Sequence, residues 1–413
     1  DTNGDQELAY SQSGFIIGAP ALHDLDGDED LEIVFTTQSG SSGKLYAIHH
    51  TGSNLDGFPV DLGEIMVVGA AVGDLESDGS IDIVVTTYED HIYAINTDGT
   101  IKDGFPFVAS HRFKSPATLV DLDGDNDLEI VAGNDDGNLY ILHHDGTLMT
   151  TFDVGDDIRG GISVADINDD GDVELLFVGY DDNLHVWNPL TETELDGWPY
   201  NLGYNALSGP VTADLDNDGD LDIVTAMKSG KIFIFHHDGS LFKNFPYTVP
   251  GNIESSPAIG NLDNDDNYEI VFGTTQGLHV IDIKSDKGSR HSWKTYRGNA
   301  KRTGNYSLTL TSIEPNDLQL PKKFQVSQNF PNPFNPSTHV EIQLPESGKL
   351  NVSIYDLTGR LINTLVNDNL EMGSYIVEWH GNDQTNRLVS TGVYIMKVNS
   401  GDYSKSLKLA FIK

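Results

Sequence analysis

The stretch DLDGDEDLE, from Asp24 to Glu32, sets six acidic residues in nine positions and runs straight into the apolar segment EIVFTT. The same turn returns as DLESDGSID from Asp74, DLDGDNDLE from Asp121, DINDDGDVE from Asp166, DLDNDGDLD from Asp214 and NLDNDDNYE from Asn261. The start-to-start intervals are 50, 47, 45, 48 and 47 residues. A fixed period of that size makes the chain an array of one repeated unit, and it has to be recognised before any single residue is interpreted.

Each unit reads as four short strands. A small-residue run such as GAPALHDL enters the acidic turn, and a β-rich run such as EIVFTT leaves it. A third run alternates apolar and polar residues (KLYAIHH, HIYAINT, NLYILHH, KIFIFHH), and a fourth carries an aromatic–proline pair (GFPV, GFPF, GWPY, NFPY). The third unit has MTTFDVG in that place. Four-stranded units in tandem predict an all-β fold, a six-bladed β-propeller between about Gly14 and Ala300. SWKTYRGNAKRTG is expected to close the last unit as its outer strand. DTNGDQEL at the start resembles a further acidic turn cut off from its preceding strand, so a seven-bladed ring is the alternative.

Within each turn, acids or amides stand at positions 1, 3, 5 and 9. They are Asp24, Asp26, Asp28 and Glu32; Asp74, Glu76, Asp78 and Asp82; Asp121, Asp123, Asp125 and Glu129; Asp166, Asn168, Asp170 and Glu174; Asp214, Asp216, Asp218 and Asp222; Asn261, Asp263, Asp265 and Glu269. Alternate residues of a tight turn can aim their oxygens at one centre, with a backbone carbonyl from position 7. Hard oxygen donors in that number favour Ca2+, which takes 6–8 of them, about one ion per blade. An EF-hand is excluded, because its closing glutamate stands at position 12 between helices. The sixth turn, with Asn261 at position 1, is expected to bind more weakly.

The balance of 24 basic against 64 acidic residues gives −40, a field that repels nucleic acid and anionic membrane and excludes both as partners. No cysteine is present, which removes disulfides, thiolate nucleophiles and cysteine-ligated zinc. No apolar run is long enough for a membrane-spanning segment. The chain opens on DTNGDQELAY without a charged, apolar leader, the pattern of a processed export substrate or a piece of a longer protein.

With loop, strand order and aromatic–proline run together, residues 14–300 resemble the FG-GAP/VCBS-type repeats of integrin α-subunit propellers and bacterial surface proteins. That resemblance implies calcium held between the first two strands of each blade, bracing the fold rather than binding ligand. Beyond a proline-bearing connector, NPFNPST, VSIYDLTGR, GSYIVEWHG, STGVYIMKV and the terminal KSLKLAFIK resemble the C-terminal sorting domain of type IX secretion cargo. Short alternating strands there read as an Ig-like β-sandwich. The expected domains are a propeller over 1–303, a linker over 304–324 and a sorting domain over 325–413. Export to the bacterial outer cell surface or medium, with the type IX machinery as partner, is what this second resemblance implies.

The pairs His49–His50, His143–His144 and His236–His237 recur at the end of the third strand and read as structural, since neighbouring strand residues point to opposite faces. No nucleophile constellation is visible. The residues that break repeat symmetry lie in the segments entering each first strand: His111, Arg112, Lys114, Arg159, Tyr204, Asn205 and Glu254. They are the candidate ligand-binding set, suited to an anionic sugar or a partner's carboxylate. The function expected is binding of an extracellular glycan or protein, without enzymatic activity. The alternative is a self-assembling subunit of a filament or surface array, and a polysaccharide lyase or hydrolase ranks last.

Overall fold

The computed structural model describes residues 8–306, apart from 264, 266, 286, 287, 289, 291 and 292. It also describes residues 324–412, apart from 328, 330, 331, 333, 335, 336, 345–347, 357, 371, 372, 385, 386 and 402. The acidic turn read at Asp1–Glu7 and most of the connector lie outside these residues. Two compact units divide the chain, Asp1–Ser312 and Ile313–Lys413.

In the first unit each repeat folds on itself as an antiparallel sheet. The first sheet runs Ala21–His23, Glu32–Ser39, Ser42–Ile48 and Val60–Asp61, in sequence order. The second to fifth repeats build the same order, the fourth with one extra short strand at Thr193–Glu194. The middle strands are buried on both faces, as Asp82–Thr86 shows along its whole length, which is why they read as unbroken apolar runs. Both faces are covered because consecutive sheets pack on one another. Val34, Leu45 and Ala47 of the first meet Ile83, Val85, Tyr93 and Ile95 of the second, with Phe58 wedged between them. Equivalent cores join the second sheet to the third, and so on to the sixth. This succession is a β-propeller.

The aromatic–proline runs are the wedges of these cores. Gly57, before Phe58, takes φ 87°, and a Cβ there would stand 1.9 Å from the Asp98 carbonyl oxygen of the next sheet, so only glycine fits. The third repeat, which lacks the wedge, substitutes a six-residue outer strand, Leu148–Asp153.

The last repeat departs from expectation. Among the described residues its sheet holds Ala258–Gly260, Tyr268–Thr274 and Gly277–Ile283. The segment SWKTYRGNAKRTG is not its outer strand. With Arg290 just ahead of it, residues 293–304 run instead along the inner edges of the sheets, where carbonyls accept backbone N–H groups one sheet after another. Asp214 donates to Arg290 (3.1 Å), Thr212 to Trp293 (3.1 Å) and Ile259 to Lys294 (2.9 Å). Leu22 donates to Lys301 (2.9 Å), Val72 to Thr303 (2.9 Å) and Leu119 to Gly304 (2.8 Å). An innermost strand has one edge without a sheet partner, and buried backbone groups there must be satisfied from somewhere. Trp293, Arg297, Asn299 and Thr303 are buried in this inner strap.

The sixth and first sheets share no hydrophobic cluster among the described residues. Leu278 and Val280 of the sixth are 73% and 52% exposed, where their equivalents Leu45 and Ala47 are fully buried. On the first sheet Ile16 is 48% exposed, where Met66, Phe113 and Ile158 in the same register are buried. Leu8 and Tyr10 alone pack over Phe35, Tyr46 and Ile48 there.

The second unit has two antiparallel sheets. Gln325–Val326, Thr338–Leu344 and Gly373–Trp379 form one; Leu361–Leu370, Gly348–Asp356, Gly392–Ser400 and Tyr403–Phe411 form the other. Val340, Ile342, Val352, Ile354, Trp379, Met396, Leu409 and Phe411 make their common core.

Candidate functional site

The six acidic turns share one geometry. The acid at position 9 is buried, and one of its oxygens accepts the backbone N–H of position 2. The pairs are Leu25–Glu32 (2.9 Å), Leu75–Asp82 (3.3 Å), Leu122–Glu129 (2.8 Å), Ile167–Glu174 (3.0 Å), Leu215–Asp222 (2.8 Å) and Leu262–Glu269 (2.6 Å). Position 1 closes the turn from the other end: Asp24 accepts from Gly27 and Glu29 at 2.7 and 3.0 Å, Asp121 from Gly124 and Asn126 at 2.8 and 3.1 Å. In the first five turns positions 4 and 6 both take left-handed backbone, as in Gly27 and Glu29 (φ 79° and 72°) or Ser77 and Gly79 (51° and 90°). In each of these five turns one glycine relieves one of them, which is why it moves between the two positions along the chain; the sixth, NLDNDDNYE, has none.

This arrangement brings oxygens together at a steep electrostatic cost. Asp24, Asp26 and Asp28 converge to within 4.8 Å of one another, and so do Asp121, Asp123 and Asp125. Burial pushes Glu129 and Glu174 up to about 7 and Asp222 up to about 8, and it raises Asp82 and Glu269 as well, with the neighbouring acids of each turn adding to the effect. Glu129 Oε1, Asp166 Oδ1, Asp216 Oδ1, Asn261 Oδ1 and Glu269 Oε1 are buried without a hydrogen-bond partner among the described residues. Turns three to six therefore each offer an unmet oxygen on a preformed ring of hard donors, which suits a divalent cation of oxygen preference.

The residue ending the third strand reaches into the same turns, and the sequence did not signal this. His49 Nδ1 stands 3.2 Å from Glu32 and 3.7 Å from Asp26, His143 3.5 Å from Glu129, and His236 3.0 Å from Asp222. The second histidine of each pair meets the acid at position 7: His50–Asp30 at 3.4 Å, His144–Asp127 at 3.2 Å, His237–Asp220 at 3.1 Å. Both histidines of each pair thus close on one turn. In the fourth repeat Asn188 donates to Glu174 at 3.1 Å. In the sixth, Asp282 pairs across the strands with Glu269 and adds a carboxylate with its own unmet oxygen.

The symmetry-breaking residues divide. Arg112, Lys114 and Arg159 come together around one carboxylate that sequence reasoning missed, Asp135, whose side chain is 1% exposed. Arg112 Nε and Lys114 Nζ donate to its Oδ2 and Arg159 Nε to its Oδ1, each at 2.7 Å. Arg159 also pairs with Asp157. Asp135 lies two residues beyond the second strand of the third sheet, Glu129–Gly133, and the same register on the neighbouring sheets holds Tyr88 and Tyr180. The Arg112 guanidinium lies 4.8 Å from the Tyr88 ring centre and that of Arg159 4.6 Å from Tyr180. The result is a row of tyrosine, cations, buried aspartate, cation and tyrosine on one rim of the propeller. These cations hold Asp135 below the usual carboxylate range even though its burial acts to raise it. Glu254 pairs instead with Lys228 at 3.7 Å, and His111 and Tyr204 are exposed away from the row's ion pairs.

With this geometry in hand, residues 166–225 match the FG-GAP-like repeat family, and residues 328–413 match the secretion system C-terminal sorting domain. The chain thus carries an FG-GAP-like repeat within its propeller and a type IX sorting domain at its C-terminal end. That domain directs it across the outer membrane, to the outer surface or beyond. No curated protein matches it. Among solved structures, Saccharomyces cerevisiae Sqt1 is similar over 62% of this chain and 69% of its own, at 14% identity and a TM-score of 0.49. The V. cholerae biofilm matrix protein Bap1 is similar over 97% and 69%, at 15% and 0.45. The WD40 propeller domain of Doa1 is similar over 66% and 98%, at 14% and 0.38.

Proposed function

We propose that the chain is a secreted, calcium-stapled propeller that binds rather than catalyses, and that it takes an acidic extracellular ligand on the row from Tyr88 to Tyr180. The observation that carries this reading is the convergence of Arg112, Lys114 and Arg159 on Asp135. Three cations on one buried carboxylate leave positive charge at the rim of a chain with net charge −40. Arg112 gives only Nε to Asp135 and its side chain is 36% exposed, which leaves its terminal nitrogens to meet a carboxylate or sulfate. The flanking tyrosines suit a sugar ring, and an acidic glycan such as a polyuronate combines both features. Calcium in the turns is supported by the unmet buried oxygens; its place is in bracing the sheets, apart from the row.

The test is calorimetric titration of polygalacturonate into the calcium-loaded protein. Arg112→Ala leaves Asp135 two partners and so spares the fold, yet binding is expected to weaken at least ~10-fold, the loss of one charge-assisted hydrogen bond. Equal affinity in the two proteins would sink the site.

The uncovered walls of the sixth and first sheets support a ring with seven places rather than six. Leu8 lies eight residues before Ile16, as Phe58 lies eight before Met66, so the chain enters the first sheet as if leaving another. Class averages of native material by electron microscopy are expected to show seven-fold spacing. A tight six-fold ring would reject this count. The second unit, with its two facing sheets, reads as the Ig-like sandwich of such sorting domains.

A further inference from the structure

We infer that the second acidic turn holds no divalent cation, because the ammonium of Lys102 occupies the place one would take. The inference rests on the calcium reading of the other turns and marks where this chain departs from it. Lys102 Nζ donates to Asp82 Oδ1 at 2.9 Å, Asp82 Oδ2 at 3.0 Å and Glu76 Oε2 at 3.2 Å. These are the acids of positions 9 and 3. The remaining bond of Asp82 Oδ2 comes from the Leu75 N–H, so none of its oxygens is left unmet, in contrast to turns three to six.

Lys102 arrives from an unexpected quarter. It stands on the segment between the third strand of the second sheet and its outer strand, at a position where other repeats carry Leu55, Met149, Leu195 and Phe242. There it passes through an apolar layer, and its side chain ends only 11% exposed. A lysine that buries its stem and gives three hydrogen bonds to two carboxylates is a fixed counter-ion rather than a surface charge. The third strand adjusts in step: where the first, third and fifth repeats place a histidine on the turn, Asn96 turns back to Thr100. Position 7 is Ser80, without the carboxylate that Asp30, Asp127 and Asp220 supply to those repeats. A divalent ion at this centre would have to share the same oxygens with an ammonium about 3 Å from each, a repulsion that water cannot screen in a buried pocket.

The test counts calcium ions retained by the full chain, using native mass spectrometry after dialysis against calcium. Lys102→Met puts an apolar side chain where Met149 already sits, and it is expected to hold one more ion than the wild type. Independently, Asp78→Asn in the second turn is expected to leave the wild-type count unchanged, while Asp125→Asn in the third lowers it by one. A wild type that loses an ion on Asp78→Asn, or an equal count in a folded Lys102→Met, overturns the inference and leaves the calcium reading standing. A wild type that retains no calcium overturns both.

Discussion

Chelation at pH 8.5 lowers the melting temperature of the first unit by more than ~20 °C, and returning calcium restores it. Each occupied turn contributes about 2–3 kcal/mol at ion concentrations near a hundred times its dissociation constant. Several such turns together amount to roughly 10 kcal/mol, and a unit of this size shifts by about 2–4 °C per kcal/mol. The sign of the pH effect follows from the buried acids. Burial raises Glu129 and Glu174 to about 7 and Asp222 to about 8, well above an unfolded carboxyl. The ion-free fold therefore binds more protons than the unfolded chain between about pH 4 and 8, and its stability rises as pH falls through that window. The chelated protein melts higher at pH 5.5 than at 8.5, so the gap between loaded and chelated forms narrows on acidification. A chelator shift below ~5 °C at pH 8.5 rejects the staple.

Arg297→Ala costs about 4 kcal/mol, the second large effect, and it strikes far from any acidic turn. Arg297 is 4% exposed at the centre of the inner strap. Its Nη2 donates to the Ala70 carbonyl at 2.6 Å, its Nη1 to Gly69 at 3.4 Å, and its Nε to Arg302 at 3.1 Å. Burial pushes its pKa down, so the fold already works against this charge and recovers it through the carbonyls. Truncation leaves those carbonyls unpaired in a cavity, and both losses add. A thermal melt with calcium present checks it. A variant within ~1 kcal/mol of the wild type means the strap is dispensable, as an outer strand would be.

The repeat made most of the propeller legible, because a turn of spaced acids followed by an apolar strand is a local signal that recurs. The inner strap was not legible. SWKTYRGNAKRTG looks like an outer strand when judged by its own alternation, and what recruits it is the unpaired inner edges of distant strands, which leave no mark in its composition. The partners of the turns were hidden for a similar reason. His49 meets an acid 17 residues back and Lys102 one 20 residues back, across a sheet whose register only the folded chain fixes. Arg112 and Arg159 stood out as basic residues in an acidic chain. Asp135 did not, since one more aspartate among so many carries no contrast until its burial is seen.

The inner strap also decides how the molecule bears a pull. The sorting domain is joined to the propeller through the chain that follows Asn305, and Asn305 bridges Leu119 at the inner edge of the third sheet. A tether leaving from an outer strand would peel that strand away one bond at a time. Here, tension drawn through the connector loads a segment anchored to the inner strands of five sheets, so its bonds share the force before any sheet begins to open.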